Sequence, residues 1–304
     1  MNENEIKVSI VIPAKNREQT IERAIESVLS QKGDFVLEII VVDDASTDKS
    51  KEIVVNLQSK YQNLFLIENS ESVGGAVARN IGAKIATGKY IAFLDSDDEW
   101  LENHLREKIG LIYSNGAQGC FGAFHIIRNN KIMPMIFPEF KGVSISKYIF
   151  ENGGDARTST FVFKRDAFMK IMFDNELGKH QDWDIAIRFD IEFSMVFDTK
   201  KNVNVYVDGG NRMSNKNNYN ASNYFQEKHK NILTSQSLYI FKLNLCFNAF
   251  RTEGNSKNFK SEMKELRKFA EKEDVHHKLK FTLLNNVFLR ALLPIMFYVQ
   301  QKIS

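Results

Sequence analysis

Apolar residues fall in two alternating rhythms along the first half of this chain. Val8 to Ile12, Glu38 to Val42, Leu64 to Ile67 and Tyr90 to Leu94 are short runs rich in β-branched or aromatic residues, the pattern of buried strands. Between them the apolar positions recur at helical spacing. They are Ile21, Ala24, Ile25, Val28 and Leu29, then Ile53, Val54 and Leu57, then Ala76, Ala78, Ile81, Ala83 and Ile85. Pro13 stops the first strand, Ser46 or Thr47 is placed to cap the second helix, and Gly88 closes the third. Four such alternations predict an α/β half built on a mainly parallel sheet.

Further along, the spacing from Leu101 to Ile112 predicts a helix, Gln118 to Ile127 a strand, and Asn130 to Pro138 either a hairpin return or a loop. Thr158 to Phe163 is a clearer strand, with Lys164-Arg165-Asp166 opening the next helix. Gly178 to Arg188 reads as a loop leading into an amphipathic helix, and Val203 to Val207 as a strand. The asparagine-rich stretch 215–223 is the best boundary. It divides an α/β region of residues 1–214 (halves 1–100 and 101–214) from a helical C-terminal region of 215–304. In the latter, Lys257 to Asp274 is charged and predicted to be a solvated helix. Residues 281–299 are apolar but interrupted by Asn285, Asn286, Arg290 and Pro294, so a membrane-spanning helix is not expected. With His276, His277, Lys278 and Lys280 before it, 276–304 suits a helix lying on an anionic inner leaflet. It equally suits a helix packed on the rest of the chain or on a second subunit in a homo-oligomer.

Bulk properties narrow the class. At 304 residues the chain can bury a large core, and 41 basic against 38 acidic side chains give a net charge of +3, which does not point to nucleic acid. Cys120 and Cys246 each sit in an apolar run and read as buried thiols, with a single disulfide as the alternative. The first five residues are polar with no apolar segment, so a secretory leader is not expected and a cytoplasmic location is.

The chemistry gathers at strand ends. Pro13 to Arg17, Asp43 to Asp48 and Asp95 to Asp98 all follow strands of the parallel sheet, on the edge where such sheets bind ligands. There is no Gly-x-Gly-x-x-Gly after the first strand and no phosphate-binding P-loop, so any phosphates must be neutralised otherwise. Asp95, Asp97 and Asp98 repel one another, and a hard divalent cation carrying phosphate oxygens would relieve that. The competing reading is an acidic turn capping the next helix.

Four motifs in order, Val8-Ser9-Ile10-Val11-Ile12-Pro13, Val41-Val42-Asp43-Asp44-Ala45-Ser46-Thr47-Asp48, Ala78-Arg79-Asn80-Ile81-Gly82 and Phe93-Leu94-Asp95-Ser96-Asp97-Asp98, resemble those of family 2 glycosyltransferases of the GT-A fold. The resemblance covers about the first hundred residues. It implies an inverting, β-forming transfer from a UDP-sugar to a glycan or lipid-linked acceptor in surface polysaccharide or lipopolysaccharide synthesis, with Mn²⁺ or Mg²⁺ as cofactor. By resemblance, Pro13 and Lys15 line the nucleoside pocket, Asp44 accepts from the base, and Arg79 holds an acid or a phosphate. Asp95 and Ser96 lie by the ribose and diphosphate, and Asp97 ligates the metal with Asp98 adjoining it. Arg212, in the loop after the strand at 203–207, is a candidate to close over the diphosphate.

The segment Gln181-Asp182-Trp183-Asp184 resembles the family's Glu-Asp-Trp-Asp, which makes Asp182 the expected general base. Gln181 replaces the usual Glu, which predicts that Asp182 lacks an acidic neighbour and has a less raised pKa. Two rival classes are a metal-dependent nucleotidyltransferase, disfavoured because 13–17 contains no glycine, and a sugar-nucleotide binding protein without turnover.

Overall fold

The structure, a computed structural model, describes residues 6–208, 217–272 and 286. The described residues form two compact units, 6–145 with 155–208 and 146–154 with 217–272. Strands β1 (Ile6–Ala14), β2 (Phe35–Asp43), β3 (Leu64–Glu68) and β4 (Tyr90–Phe93) alternate with helices α1 (Ile21–Leu29), α2 (Ser50–Gln58) and α3 (Gly75–Ile85). The four strands pair in parallel in the order β4-β1-β2-β3. From Val8 to Ile12 every residue of β1 is fully buried, which is why that run carries no polar alternation beyond Ser9. Gly82 lets α3 close onto β1 and β2, because a Cβ there would stand 2.5 Å from Val11 Cγ1.

Beyond β4 the chain departs from the expected strands. Residues 118–127 are not one strand but β6 (Gly119–Gly122) and β7 (His125–Arg128), which belong to different sheets. A Cβ at Gly122 would lie 2.6 Å from Lys108 Nζ, so the backbone there passes hard against a buried cation. The segment Thr158–Thr160 is a 3-10 turn, and only Val162–Lys164 (β9) is strand, antiparallel to β4 and β6. Met195–Asp198 (β10) completes a seven-stranded sheet in the order β10-β6-β9-β4-β1-β2-β3. A second sheet, in the order β5-β11-β7-β8, joins β5 (Glu99–Trp100), β11 (Val203–Tyr206), β7 and the hairpin partner β8 (Lys131–Met133). Helices α4 (His104–Ser114), α6 (Arg165–Ile171) and α7 (Gln181–Glu192) complete this unit.

In the other unit α5 (from Ile145, which counts with the first unit, to Phe150) sets Phe150 against Phe225 and Phe241, at ring distances of 6.3 and 5.8 Å. Those two rings come from α8 (Tyr219–His229) and α9 (Ser235–Glu253), and α10 (Lys257–Lys272) buries Phe259, Met263 and Leu266. Thr234 caps α9 by accepting from Ser237 N. Both cysteines are buried and free, and burial pushes each thiol up to about 12. No helix among the described residues is long and apolar enough to cross a membrane. The stretch 276–304, apart from residue 286, and Arg212 lie outside the described residues.

Candidate active site

At the carboxyl edge of the parallel strands, the loops after β1 and β2 are laced together. Asn16, in the left-handed region at φ 53°, accepts from Thr47 N at 2.8 Å, and its own N–H donates to Ser46 Oγ at 2.9 Å. Arg17 N donates to Ser50 Oγ and Glu18 N to Asp48 Oδ2. Ser46 and Thr47 therefore serve this lacing and do not cap α2, whose preceding residue Lys49 makes no side-chain cap. Pro13 is half-buried and Lys15 exposed at the same loop.

Asp44 is almost fully buried and accepts from Asn69 Nδ2, Ser72 Oγ, Val73 N and Gly74 N at 2.7 to 3.1 Å. Burial pushes its pKa up, but these donors outweigh burial and the net shift is down. Four donors fill the lone-pair positions of a carboxylate. In this state Asp44 clamps the loop that starts α3, and reading a base would require part of that loop to let go.

Arg79 on α3 is 6% exposed and spans the site. Its Nη2 donates to Asp95 Oδ1 at 2.6 Å and its Nη1 to Gln181 Oε1 at 2.7 Å. The arginine thus ties the acid after β4 to the residue that begins α7. Asp95 N donates to Ser159 Oγ at 3.1 Å, and Ser159 Oγ donates to Asp98 Oδ2 at 2.6 Å. Asp98 Oδ1 accepts from Tyr206 N at 3.2 Å, and the residue is 2% exposed. Ser96 is also buried. Asp97 keeps 21% of its side chain exposed, with Arg17 Nη2 3.9 Å from its carboxylate and Arg23 Nη2 donating to its carbonyl.

These contacts separate the three acids by what each can still bind. Asp98, expected beside Asp97 as a ligand, has both oxygens engaged by protein donors and holds the turn to β11 and to Ser159. Among the described residues no cluster of three or more His, Cys, Asp or Glu side chains could cage a metal alone. Asp97, half-buried with Arg17 3.9 Å away, would hold a divalent ion that takes its remaining ligands from substrate phosphates and water.

Asp182 is the second residue of α7. Its Oδ1 accepts from Trp183 N at 3.0 Å, and Oδ2 has no hydrogen-bond donor among the described residues. Burial pushes its pKa up, Arg157 pulls it down, Asp155 and Asp95 push it up again, and it comes to about 6. The expectation that Gln181 leaves Asp182 without an acidic neighbour is therefore corrected: two acids from elsewhere in the chain face it. Gln181 itself donates Nε2 to Leu177 O while accepting from Arg79.

The residues that sequence reasoning missed lie in the segment just before β9. Asp155 Oδ1 accepts from Trp183 Nε1 at 3.1 Å and Oδ2 from Arg157 Nε at 2.8 Å. His180, left-handed at φ 64°, stacks on Trp183 with ring centroids 5.1 Å apart; burial pushes its pKa down to about 3, so the ring is neutral. Ser159 carries the turn into both Asp95 and Asp98. A charged pair, Asp155 and Arg157, just ahead of Thr158-Ser159-Thr160 was the available signal, but spacing alone does not aim it at α7. A cavity of about 710 Å³ lined by Leu111, Phe140, Asp190, Phe193 and Phe197 contains none of these residues.

Comparison with known proteins fits this geometry. The amylovoran biosynthesis glycosyltransferase AmsB of Erwinia amylovora is 31% identical over 265 residues, 83% of this chain and 87% of the relative. WfgD of Escherichia coli, a UDP-Glc:alpha-D-GlcNAc-diphosphoundecaprenol beta-1,3-glucosyltransferase, is 39% identical over 126 residues, 41% of this chain and 49% of its own length. The crystal structure of S. aureus TarS 1-349 in complex with UDP-GlcNAc superposes with a TM-score of 0.60 at 20% identity, covering 87% of this chain and 71% of that one, which supports the GT-A fold. The model of the family described as Glycosyl transferase family 2 matches residues 9–172, over half the chain. On that match and on the likeness to AmsB along most of both chains, the protein belongs to glycosyltransferase family 2.

Proposed function

We propose that the protein transfers one sugar from a UDP-sugar to a hydroxyl of a glycan or lipid-linked saccharide, with inversion, and that Asp182 is the general base. The observation that carries this reading is the open Oδ2 of Asp182 at the start of α7, tied through Gln181 and Arg79 to Asp95 at the end of β4. One end of that chain faces an acceptor hydroxyl, and the other faces the donor. With a pKa of about 6, Asp182 is about nine-tenths ionised at pH 7, yet basic enough to accept a proton late in the step. The bond from the anomeric carbon to the diphosphate breaks, the acceptor oxygen bonds to the opposite face of that carbon, and the hydroxyl proton passes to Asp182 Oδ2. A divalent ion held by Asp97 would stabilise the charge of the departing diphosphate. Arg17, near Asp97, is placed to face the same phosphates.

The substrate classes follow the relatives: WfgD is named for UDP-Glc and a diphosphoundecaprenol-linked GlcNAc, and AmsB for amylovoran biosynthesis. On this reading an acceptor of that kind would have the enzyme work at the cytoplasmic face of the inner membrane. The test is transfer by purified protein from UDP-glucose to a GlcNAc-diphospholipid, with Mn²⁺ or with EDTA. Chelation and Asp97→Ala should each lower the rate at least 10-fold. UDP binding without turnover in every condition would leave a non-catalytic binding protein, and rates indifferent to EDTA would remove the metal.

A further inference from the structure

Arg157 stands beside the base with its binding capacity unspent. Its Nε donates to Asp155, its guanidinium lies 5.8 Å from the Phe124 ring, and its side chain is 38% exposed. Neither terminal nitrogen has a hydrogen-bond acceptor among the described residues. The anchor, Asp155, has its Oδ1 on the indole N–H of Trp183, the residue after Asp182. One carboxylate therefore fixes both the arginine and the helix turn that carries the base. The neutral ring of His180 stacks on Trp183.

We propose that Arg157 is a positioning residue that keeps Asp182 ionised, with Oδ2 aimed at the acceptor, while the bound acceptor excludes water, and that Asp155 anchors it. This rests on Asp182 being the base. The groups facing Asp182 bear the logic out. Asp155 and Asp95 are acidic and burial disfavours charge, so three influences oppose ionisation, and Arg157 is the cation that counters them. Asp184, on the same helix, is engaged by Arg188 at 2.6 Å and does not compete for Arg157. Asp98 also pulls on Arg157, from the donor side. Desolvation by substrate would strengthen the Arg157–Asp182 attraction, because the same charges interact more strongly in a lower dielectric. An arginine with three carboxylates near it is a poor site for an acceptor phosphate, and this favours the electrostatic role over anion capture.

The experiment titrates Asp182 directly by carboxyl ¹³C NMR in the full-length protein, the resonance being assigned by its loss in Asp182→Asn. We expect a midpoint near 6 in the wild type, a rise of about one unit in Arg157→Met, and a near-native value in Arg157→Lys. Arg157→Gln serves if the Met variant does not fold, with UDP affinity and Tm as the checks on folding. In transfer assays the acid limb of kcat/KM should move with the NMR midpoint. An unmoved midpoint in the folded neutral variants overturns the proposal. So does a raised acceptor KM with an unshifted pH profile, which would mean that Arg157 binds an anion of the acceptor. If the NMR shift appears and no transfer is found under any condition, the coupling of Arg157 to Asp182 stands, while the proposed function fails and with it the aiming of Oδ2 at an acceptor.

Discussion

Two carboxylates, the buried Glu38 and the half-buried Asp182, one toward each edge of the same sheet, have been pushed in opposite directions. Near the amino edge, Glu38 of β2 accepts from Ser9 Oγ, Thr87 N and Thr87 Oγ1 and pairs with Lys7 at 2.9 Å. At the carboxyl edge, Asp182 accepts one backbone N–H. Burial raises both pKa values. Glu38's donors overturn burial and bring it down to about 2, whereas Asp182 stays up at about 6. Desolvation is the largest influence on both, and what reverses it at Glu38 is the set of donors that Asp182 lacks. A fully bonded acid serves the fold; an acid left with an open oxygen and acidic neighbours is held ready to take a proton.

The contrast breaks most visibly in kinetics. Asp182→Asn should lower kcat by about 10²- to 10⁴-fold, as loss of a general base does, with UDP affinity unchanged. A large loss of UDP affinity would place Asp182 in the donor site instead. Glu38→Gln should leave kcat within about twofold.

Stability should show the reverse order and opposite signs. Glu38 has a folded pKa below its unfolded value, so its contribution is present above about pH 4.5 and lost as pH falls toward 2. Glu38→Gln should cost about 2–3 kcal/mol at pH 7, with the gap to wild type closing in acid. Asp182 has a folded pKa above its unfolded value. Its contribution is present below pH 3.8 and lost as pH rises through 6, which leaves a penalty at pH 7. Asp182→Asn should therefore stabilise the protein, by about 1 kcal/mol after discounting for solvent and for the partner Arg157 loses. Chemical denaturation of the two variants at pH 3, 5 and 7 checks both signs; destabilisation by Asp182→Asn would mean the acid is as structural as Glu38.

The sequence disclosed the amino half of this comparison better than the carboxyl half. β1, β2, β3, β4 and their helices come from local periodicity, and the expected strand-end loops after β1, β2 and β4 lie on one edge. The later strands are short and pair across long separations, so 118–127 read as one strand, while β10 and the two-residue β5 gave no periodic signal. Lys108 is fully buried, 3.1 Å from Asp198, a pairing 90 residues apart that no local pattern carries. Asp182 was legible from a motif; Asp155, Arg157 and Ser159 were not, because what assigns them is the approach of one segment to α7. Gln181 was legible as a substitution and Arg79 as the holder of an acid, but not that Arg79 is the partner of Gln181.

That partner makes Gln181→Glu the finest test of the contrast. It adds a second carboxylate on Arg79 and a negative charge next to Asp182, making the carboxyl edge still more acidic. Arg79 would take up part of the charge, so the acid limb of the rate should rise by only about half to one unit. At pH 7 that costs about 1.2- to 1.8-fold in rate, and at pH 8.5 almost nothing. Glu also loses the N–H that Gln181 donates to Leu177 O, which should destabilise the fold by about 1 kcal/mol. A rate loss equal at all pH values would show that position 181 acts through Arg79 and Asp95 on the donor instead. An unchanged limb with unchanged rate would show that Arg79 absorbs the charge completely, leaving Asp182 governed by Asp155, Asp95 and Arg157.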